Sequence, residues 1–267
     1  MLGFEKRAAF VTGGGSGIGR ATSLALAARG AFVWVTDFDK NAAVRTVGLI
    51  EQAGGRASAL RLDVSIEAEW TAALEASDAH HEPLRILVNC AGKSIIAETF
   101  TMAIEDLRSI LAINVEGTFL GMKHAIPRIA TSGGGAVVNM SSALAMKGVA
   151  RMAAYCGSKA AIRMMTRAVA LECAELRNEV RVNSVHPGVV DTPAWHKHGP
   201  DEAGVLSDSL GGGAQVLDVH AVATKVVPVG VACSADEVAE AVCFLASDAA
   251  RHMTGAEIVI DGGMTAG

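Results

Sequence analysis

Arg7-Ala8-Ala9-Phe10-Val11 followed by Thr12-Gly13-Gly14-Gly15-Ser16-Gly17-Ile18-Gly19 decides the fold of this chain. The first five residues read as a short buried strand, and residues 18–29 carry the apolar spacing of a helix. Glycines between them let the backbone turn sharply and approach a ligand closely. A helix that begins there turns free N–H groups and the positive end of its dipole towards the turn. A lone glycine cluster also describes a flexible loop. Strand, glycine turn and helix start in succession describe a dinucleotide site.

Working outward, residues 31–36 form a second strand that ends at Asp37, and 37 − 19 = 18 residues separate Asp37 from the last glycine. An acid at about twenty residues past the turn suits the hydroxyls of an adenosine ribose. It also repels a 2′-phosphate. Phe38 follows, and no Lys or Arg lies between Thr12 and Gly19. The reading is NAD(H) rather than NADP(H), with Lys40 as the nearby cation that opposes it. A turn or cap role fits Asp39 better than Asp37.

Strand-like and helix-like stretches then alternate to the C-terminus. Strands are expected near 8–11, 32–36, 56–62, 86–89, 136–140, 181–185 and 257–260, and helices near 18–29, 41–52, 66–81, 104–129, 152–176 and 235–247. Such alternation predicts an α/β fold: a doubly wound parallel sheet of about seven strands with helices on both faces. Neither repeats nor composition breaks point to a second domain, so residues 1–267 read as a single domain. The irregular stretch 193–228 holds Trp195, His196, His198 and three consecutive glycines. It reads as a lid over the substrate.

Composition narrows the function classes. A net charge of −5 argues against a nucleic-acid partner, and no apolar run is long enough to span a membrane. The five cysteines are odd in number and lack Cys-x-x-Cys spacing, as expected of reduced thiols in a cytoplasmic protein. His196 and His198 lack a third ligand nearby, so no metal is expected. Cys90 and Cys156 have no neighbouring His, which argues against a nucleophile.

The chain has one tyrosine, in Tyr155-Cys156-Gly157-Ser158-Lys159. Tyr and Lys four apart share one face of a helix. Lys159 is expected to stabilise the phenolate and to lower the Tyr155 pKa towards working pH. A phenol so placed exchanges protons with a reacting oxygen. In isolation the spacing also describes an aromatic and a solvated Lys on any helix.

Together these residues resemble the short-chain dehydrogenase/reductase family over nearly the whole chain. Thr12 to Gly19 matches its Thr-Gly-x-x-x-Gly-x-Gly, which brings Gly13, Ser16, Gly17, Ile18 and Gly19 to the cofactor. Asp63-Val64 resembles the adenine-contacting pair. Asn89-Cys90-Ala91-Gly92 is similar to the family's Asn-Asn-Ala-Gly, with Cys90 in place of the second Asn. Pro187-Gly188, with Val190 and Thr192, resembles the segment that holds the nicotinamide carboxamide. Ile260-Asp261-Gly262-Gly263 resembles the closing strand and turn. Asn114, Ser142, Tyr155 and Lys159 stand where the family carries its catalytic tetrad, and Ser142 precedes Tyr155 by 155 − 142 = 13 residues.

The resemblance implies hydride transfer between nicotinamide and a secondary alcohol or ketone. Tyr155 would be acid and base. Lys159 would assist it and bind the nicotinamide ribose, Ser142 would hold the substrate oxygen, and Asn114 would hold a relay water. Strand alternation allows only one of Ser141 and Ser142 to face the site, and family spacing selects Ser142. Ser94, Ile95, Leu144, Met146, Val149, Val189 and Trp195 are expected on the substrate side. Most are apolar, as suits a bulky, cyclic or hydroxysteroid-like small molecule. Lys93, Lys147 and Arg151 keep open a 3-oxoacyl-thioester reductase. A non-catalytic NAD(H) sensor is the alternative from another class. Helices 104–129 and 152–176 are apolar on more than one face, and the resemblance implies a homotetramer built on them.

Overall fold

A computed structural model describes residues 3–193 and 218–267. Its centre is a seven-stranded parallel sheet in the order β3-β2-β1-β4-β5-β6-β9. The strands are β1 (Ala8–Val11), β2 (Phe32–Asp37), β3 (Arg56–Arg61), β4 (Leu84–Asn89), β5 (Gly135–Met140), β6 (Val180–Pro187) and β9 (Glu257–Ile260). Two-residue strands β7 (Val190–Asp191) and β8 (Cys233–Ser234) form a separate parallel pair beyond the end of β6.

Every residue of β1 and β2 is buried. The two-residue period of a strand divides these side chains between two cores. Ala9, Val11, Val33 and Val35 belong to one apolar cluster, with Leu26, Val238 and Val242 from helices α1 (Gly17–Ala28) and α8 (Ala235–Ala246). Ala8, Phe10, Phe32 and Trp34 belong to the other, with Trp70 of α3 (Glu67–Asp78) and Ile129 of α5 (Gly117–Thr131). Strands covered on both faces need no polar side, so the central strands read as unbroken apolar runs.

Helix α2 (Lys40–Gln52) follows β2, and its N-terminus is capped by the Asp39 carboxylate, which accepts from the Asn41 N–H at 2.9 Å. The single helix expected over 104–129 is instead α4 (Ile104–Leu111), one π turn over Ala112–Glu116, and α5. Sequence spacing does not distinguish a π turn from the α turns around it, because it adds one residue without interrupting the apolar pattern. The fully buried Asn114 sits in that turn.

Long helix α6 (Ala153–Glu175) buries Ile162, Thr166, Ala170 and Cys173, while Met164 and Leu171 face outward and are exposed. Within the stretch read as irregular, the described residues from Asp218 form α7 (Val219–Val226), with the Asp218 carboxylate capping its N-terminus. Trp195, His196 and His198 lie outside the described residues.

Candidate active site

Strand order reverses at β1 and β4, so their C-terminal ends open a crevice. The glycine turn forms one wall. Gly17 has φ +50°, and a Cβ there would stand 3.4 Å from Thr192 across the gap. A Cβ on Gly19 would stand 2.2 Å from the Gly13 carbonyl oxygen, so only glycine lets α1 start this close to the turn. Ser16 at the N-cap of α1 makes no side-chain cap bond, and the first turn carries no acid. The first N–H groups of α1 therefore face the crevice without a side-chain acceptor among the described residues, a donor set suited to a pyrophosphate.

Asp37 is buried, and its two oxygens accept from the N–H groups of Gly15 at 3.0 Å and Asp39 at 3.1 Å. The two aspartates thus divide the work: Asp39 caps α2, and Asp37 stays at the turn where a ribose would lie. Arg20, one residue past the glycine motif, donates from Nη2 to the Gly15 carbonyl and from Nε to Thr46 Oγ1 at 3.2 Å. It is a cation bonded to the same Gly15 whose N–H donates to Asp37, and counting charges only as far as Gly19 missed it.

The opposite wall is the segment after β4. Thr12 Oγ1 accepts from the N–H groups of Cys90 at 3.0 Å and Ala91 at 3.1 Å, tying the two walls together. Asn89 turns away from the crevice. Its Nδ2 donates to Asn139 Oδ1 at 2.9 Å, and Asn139 Nδ2 donates to Thr166 Oγ1 at 2.9 Å. This buried amide chain links β4, β5 and α6, so Asn89 acts on the crevice through the backbone that it anchors. Asp63 accepts from Ser65 N–H at 3.0 Å and from its hydroxyl at 2.6 Å. Val64 is buried, and its carbonyl accepts from Trp70 Nε1 at 2.9 Å. Across the sheet, Pro187 ends β6, the Gly188 N–H donates to the Ile260 carbonyl at 2.9 Å, and Val190 begins β7.

Ser142, Tyr155 and Lys159 meet beyond β5. Ser142 hydrogen-bonds the Tyr155 phenol, whereas Ser141 donates to the Lys159 carbonyl oxygen at 3.0 Å. The adjacent serines are therefore separated as strand alternation requires, one to the phenol and one to the helix backbone. Lys159 Nζ donates to the Met140 carbonyl at 2.8 Å and lies 5.7 Å from the Tyr155 ring centroid.

Burial brings the Lys159 ammonium down to about 8. It also raises the Tyr155 phenol above its ordinary value, with the Ser142 hydrogen bond pulling the other way. The expectation that Lys159 lowers the Tyr155 pKa is thus corrected: burial raises the phenol, and Ser142, not Lys159, is the group that favours the phenolate. Burial pushes the Cys90 thiol up to about 12, which removes it as a nucleophile.

Asn114 is more constrained than a water-holding role requires. Its Nδ2 donates to the Lys93 carbonyl and to Ser158 Oγ, both at 2.9 Å, and its Oδ1 accepts from the Lys93 N–H at 2.8 Å. Both amide protons are engaged. The side chain pins the loop after β4 against α6.

Sequence reasoning missed His186. It is fully buried on β6, with Nδ1 3.2 Å from the Ser142 carbonyl oxygen and Nε2 2.8 Å from Ser184 Oγ. Burial holds the imidazole below its ordinary pKa, opposed by the bond to Ser142. A neutral ring donating from Nδ1 therefore props the backbone of Ser142.

The third apolar cluster lies next to Tyr155. Leu144, Val149 and Val189 belong to it, as expected of substrate-side residues, together with Ile96, Met152, Val219, Val222 and Met264. Ser94, Ile95 and Met146 are half-buried, and neither Ile95 nor Met146 belongs to any of the three clusters. Val219, Val222, Ala223 and Val226 have the spacing of one helix face, a signal legible in the sequence.

The family model described as enoyl-(acyl carrier protein) reductase matches residues 13–265. A 2,5-dichloro-2,5-cyclohexadiene-1,4-diol dehydrogenase of Sphingobium indicum is 36% identical, over 98% of this chain and 97% of its own. A cyclohexanol dehydrogenase of Acinetobacter is 33% identical, over 98% and 96%. An NADP-dependent (R)-specific alcohol dehydrogenase of Lentilactobacillus kefiri is 33% identical, over 97% of both chains. The crystal structure of a short-chain type dehydrogenase/reductase from Mycobacterium marinum superposes with a TM-score of 0.87 at 29% identity, covering 100% of this chain and 98% of that one.

Proposed function

For a chain that belongs to the short-chain dehydrogenase/reductase family, we propose NAD(H)-dependent interconversion of a bulky or cyclic secondary alcohol and its ketone. The observation that carries this reading is the Ser142–Tyr155 hydrogen bond at the edge of an apolar cluster that holds Leu144, Val149 and Val189.

The uncapped start of α1, with no acid in its first turn, fits a dinucleotide pyrophosphate, and Asp37 fits an adenosine ribose. Asp63 and Val64 would meet the adenine, and Pro187, Gly188, Val190 and Thr192 the carboxamide end. When bound, the nicotinamide supplies or accepts the hydride. Ser142 positions the substrate oxygen against the phenol. Tyr155 takes the hydroxyl proton during oxidation and returns it to the carbonyl oxygen during reduction. Lys159 holds positive charge behind the phenol, and the apolar cluster excludes water and selects a ring. Residues 194–217 of the lid expected over 193–228 lie outside the described residues, and α7 is its described part.

An acyl-carrier substrate is less favoured. Lys93 Nζ donates to Ser109 Oγ at 3.0 Å, Lys147 Nζ to the Met264 carbonyl at 3.1 Å, and Arg151 lies 3.7 Å from Glu98. The cations that would greet an acidic carrier are engaged by the chain itself.

Phe119 of α5 and Met164 and Leu171 of α6 are exposed apolar side chains. A second copy would cover them, as in a homotetramer built on these helices. A Leu171→Glu variant is then expected to shift the mass measured by light scattering downward.

The defining experiment follows reduced-nicotinamide absorbance with NAD⁺ or NADP⁺ and linear, cyclic, aryl and steroid secondary alcohols. Turnover with NAD⁺ and a cyclic alcohol is expected. Turnover with NADP⁺ alone would overturn the role given to Asp37, and cofactor binding without turnover on any alcohol would favour a sensor.

A further inference from the structure

At the N-terminal edge of the sheet, remote from the crevice, lies a cavity of about 550 Å³. Five arginines line it (Arg7, Arg85, Arg177, Arg181 and Arg251), against two acids, Glu179 and Asp248. A local excess of three positive charges stands out on a chain whose net charge is −5.

Two of the guanidiniums are held rigidly. Arg181 donates from Nη1 to the Leu245 carbonyl at 2.8 Å and from Nη2 to the Ser247 carbonyl at 3.0 Å, at the C-terminal end of α8. Arg85 donates from Nη1 to the Ser132 carbonyl at 3.0 Å, just past α5, and its buried Nε has no hydrogen-bond partner. Arg7 makes two bonds to Asp248, at 3.1 and 2.6 Å. That carboxyl lies below its ordinary pKa, chiefly through the Arg7 bond, with Arg181 and Arg85 adding to the effect. One guanidinium binds this carboxylate, and two more act on it through their charge. Arg177 and Arg251 are exposed at the rim, and their guanidiniums have no partner among the described residues.

Backbone conformation adds an independent observation. Arg177 follows the end of α6 with φ +51°, and Glu179 has φ +60°. The Arg177 N–H bonds the Ala174 carbonyl, and the Asn178 N–H bonds the Cys173 carbonyl. This is the helix-ending turn in which glycine is ordinarily preferred. An arginine stands there in a left-handed conformation, and its side chain lines the cavity.

We propose that this cavity binds a small multivalent anion through phosphate or carboxylate groups. Fork-shaped guanidiniums suit both, because each offers paired N–H donors to two oxygens. The rigid Arg85 and Arg181 form the floor, and Arg177 and Arg251 close on the ligand from the rim. A volume of about 550 Å³ lies within the range of small-molecule sites.

The test titrates the full-length protein with inorganic phosphate and, separately, with citrate, while sodium chloride keeps ionic strength constant. Thermal midpoint and calorimetric heat are the readouts. A saturable rise in midpoint is expected with at least one anion. A response to phosphate alone identifies a phosphoryl ligand, and one to citrate alone a polycarboxylate; each supports the site. The Arg177→Gly, Arg251→Gln double variant should weaken apparent affinity at least tenfold. It should also keep its basal turnover and, with glycine at a left-handed position, melt no lower than the parent without anion. The proposal is overturned if the double variant responds like the parent, because the anion then sits elsewhere, the start of α1 included. An equal response to chloride alone, or no saturable response to either anion, overturns it as well.

Discussion

The two ends of α6 carry different kinds of charge. Tyr155 and Lys159, in its first turns, are titratable groups that burial has moved away from their ordinary pKa values. Arg177, just past its last turn, joins guanidiniums that stay charged at any ordinary pH. Proton transfer needs groups whose charge can change, and desolvation brings Lys159 within reach of working pH. Holding an anion needs charge that does not change, and arginine supplies it. One helix of 23 residues spans about 35 Å at 1.5 Å per residue, so the two chemistries are separated by most of a domain diameter.

The largest effect should come from breaking the titrating end. Tyr155→Phe removes only the phenol hydroxyl, and turnover is expected to fall by roughly three orders of magnitude or more while cofactor affinity is kept. Retention of near-parent turnover would remove Tyr155 from the mechanism.

Lys159→Met sharpens the contrast between stability and activity. Turnover should fall on the order of a hundredfold, yet the folded state should become more stable. A lysine at about 8 when folded and 10.5 when unfolded is charged in both states below about pH 8, so the full cost of burying it is felt there. That cost fades as pH rises from about 8 to 10.5, where the folded lysine is neutral and the unfolded one still charged. The gap corresponds to about 3 to 4 kcal/mol at about 1.4 kcal/mol per unit. Loss of the bond to the Met140 carbonyl offsets about 1 kcal/mol of it. Calorimetric midpoints should therefore favour the variant by a few degrees at neutral pH and converge at alkaline pH. A variant that melts lower than the parent at every pH would refute the burial account.

Asp37→Ala tests the cofactor wall. NAD⁺ affinity should fall roughly tenfold and discrimination against NADP⁺ should shrink, because ribose acceptors and the repulsion of a 2′-phosphate are lost together. Unchanged selectivity in cofactor titrations would shift that role to another residue.

His186→Gln should have the smallest effect, a several-fold loss in kcat with little change in KM, since it props the Ser142 backbone and touches no substrate. Equal losses in a distant stability control, with KM rising instead of kcat falling, would make His186 merely structural.

How legible the molecule was in its sequence depended on the range of each interaction. The seven strands of the sheet follow from local apolar runs and alternation, and each expected strand lies within two residues of its place in the structure. Glycine positions around Gly13 to Gly19 and the interval to Asp37 are local signals as well. The separation of Ser141 from Ser142 follows from strand geometry, with Lys159 and Tyr155 as their respective partners. Less legible was α7, whose Val219, Val222, Ala223 and Val226 carry a helical period that the glycines and histidines upstream obscured. The π turn at Asn114 was not legible at all, since it leaves the apolar pattern intact.

Sequence by itself determined the order of elements, the glycine turn with its helix start, and the types and spacing of the groups around Tyr155. These depend on propensities and intervals within single βα units. Only tertiary structure decided where Asn89 points, that His186 stands behind Ser142, that desolvation rather than Lys159 dominates the phenol, and that five arginines from four separate segments converge on one cavity. Each of these depends on distances between strands and helices far apart in the chain, and burial and Coulomb energies exist only once those distances are set.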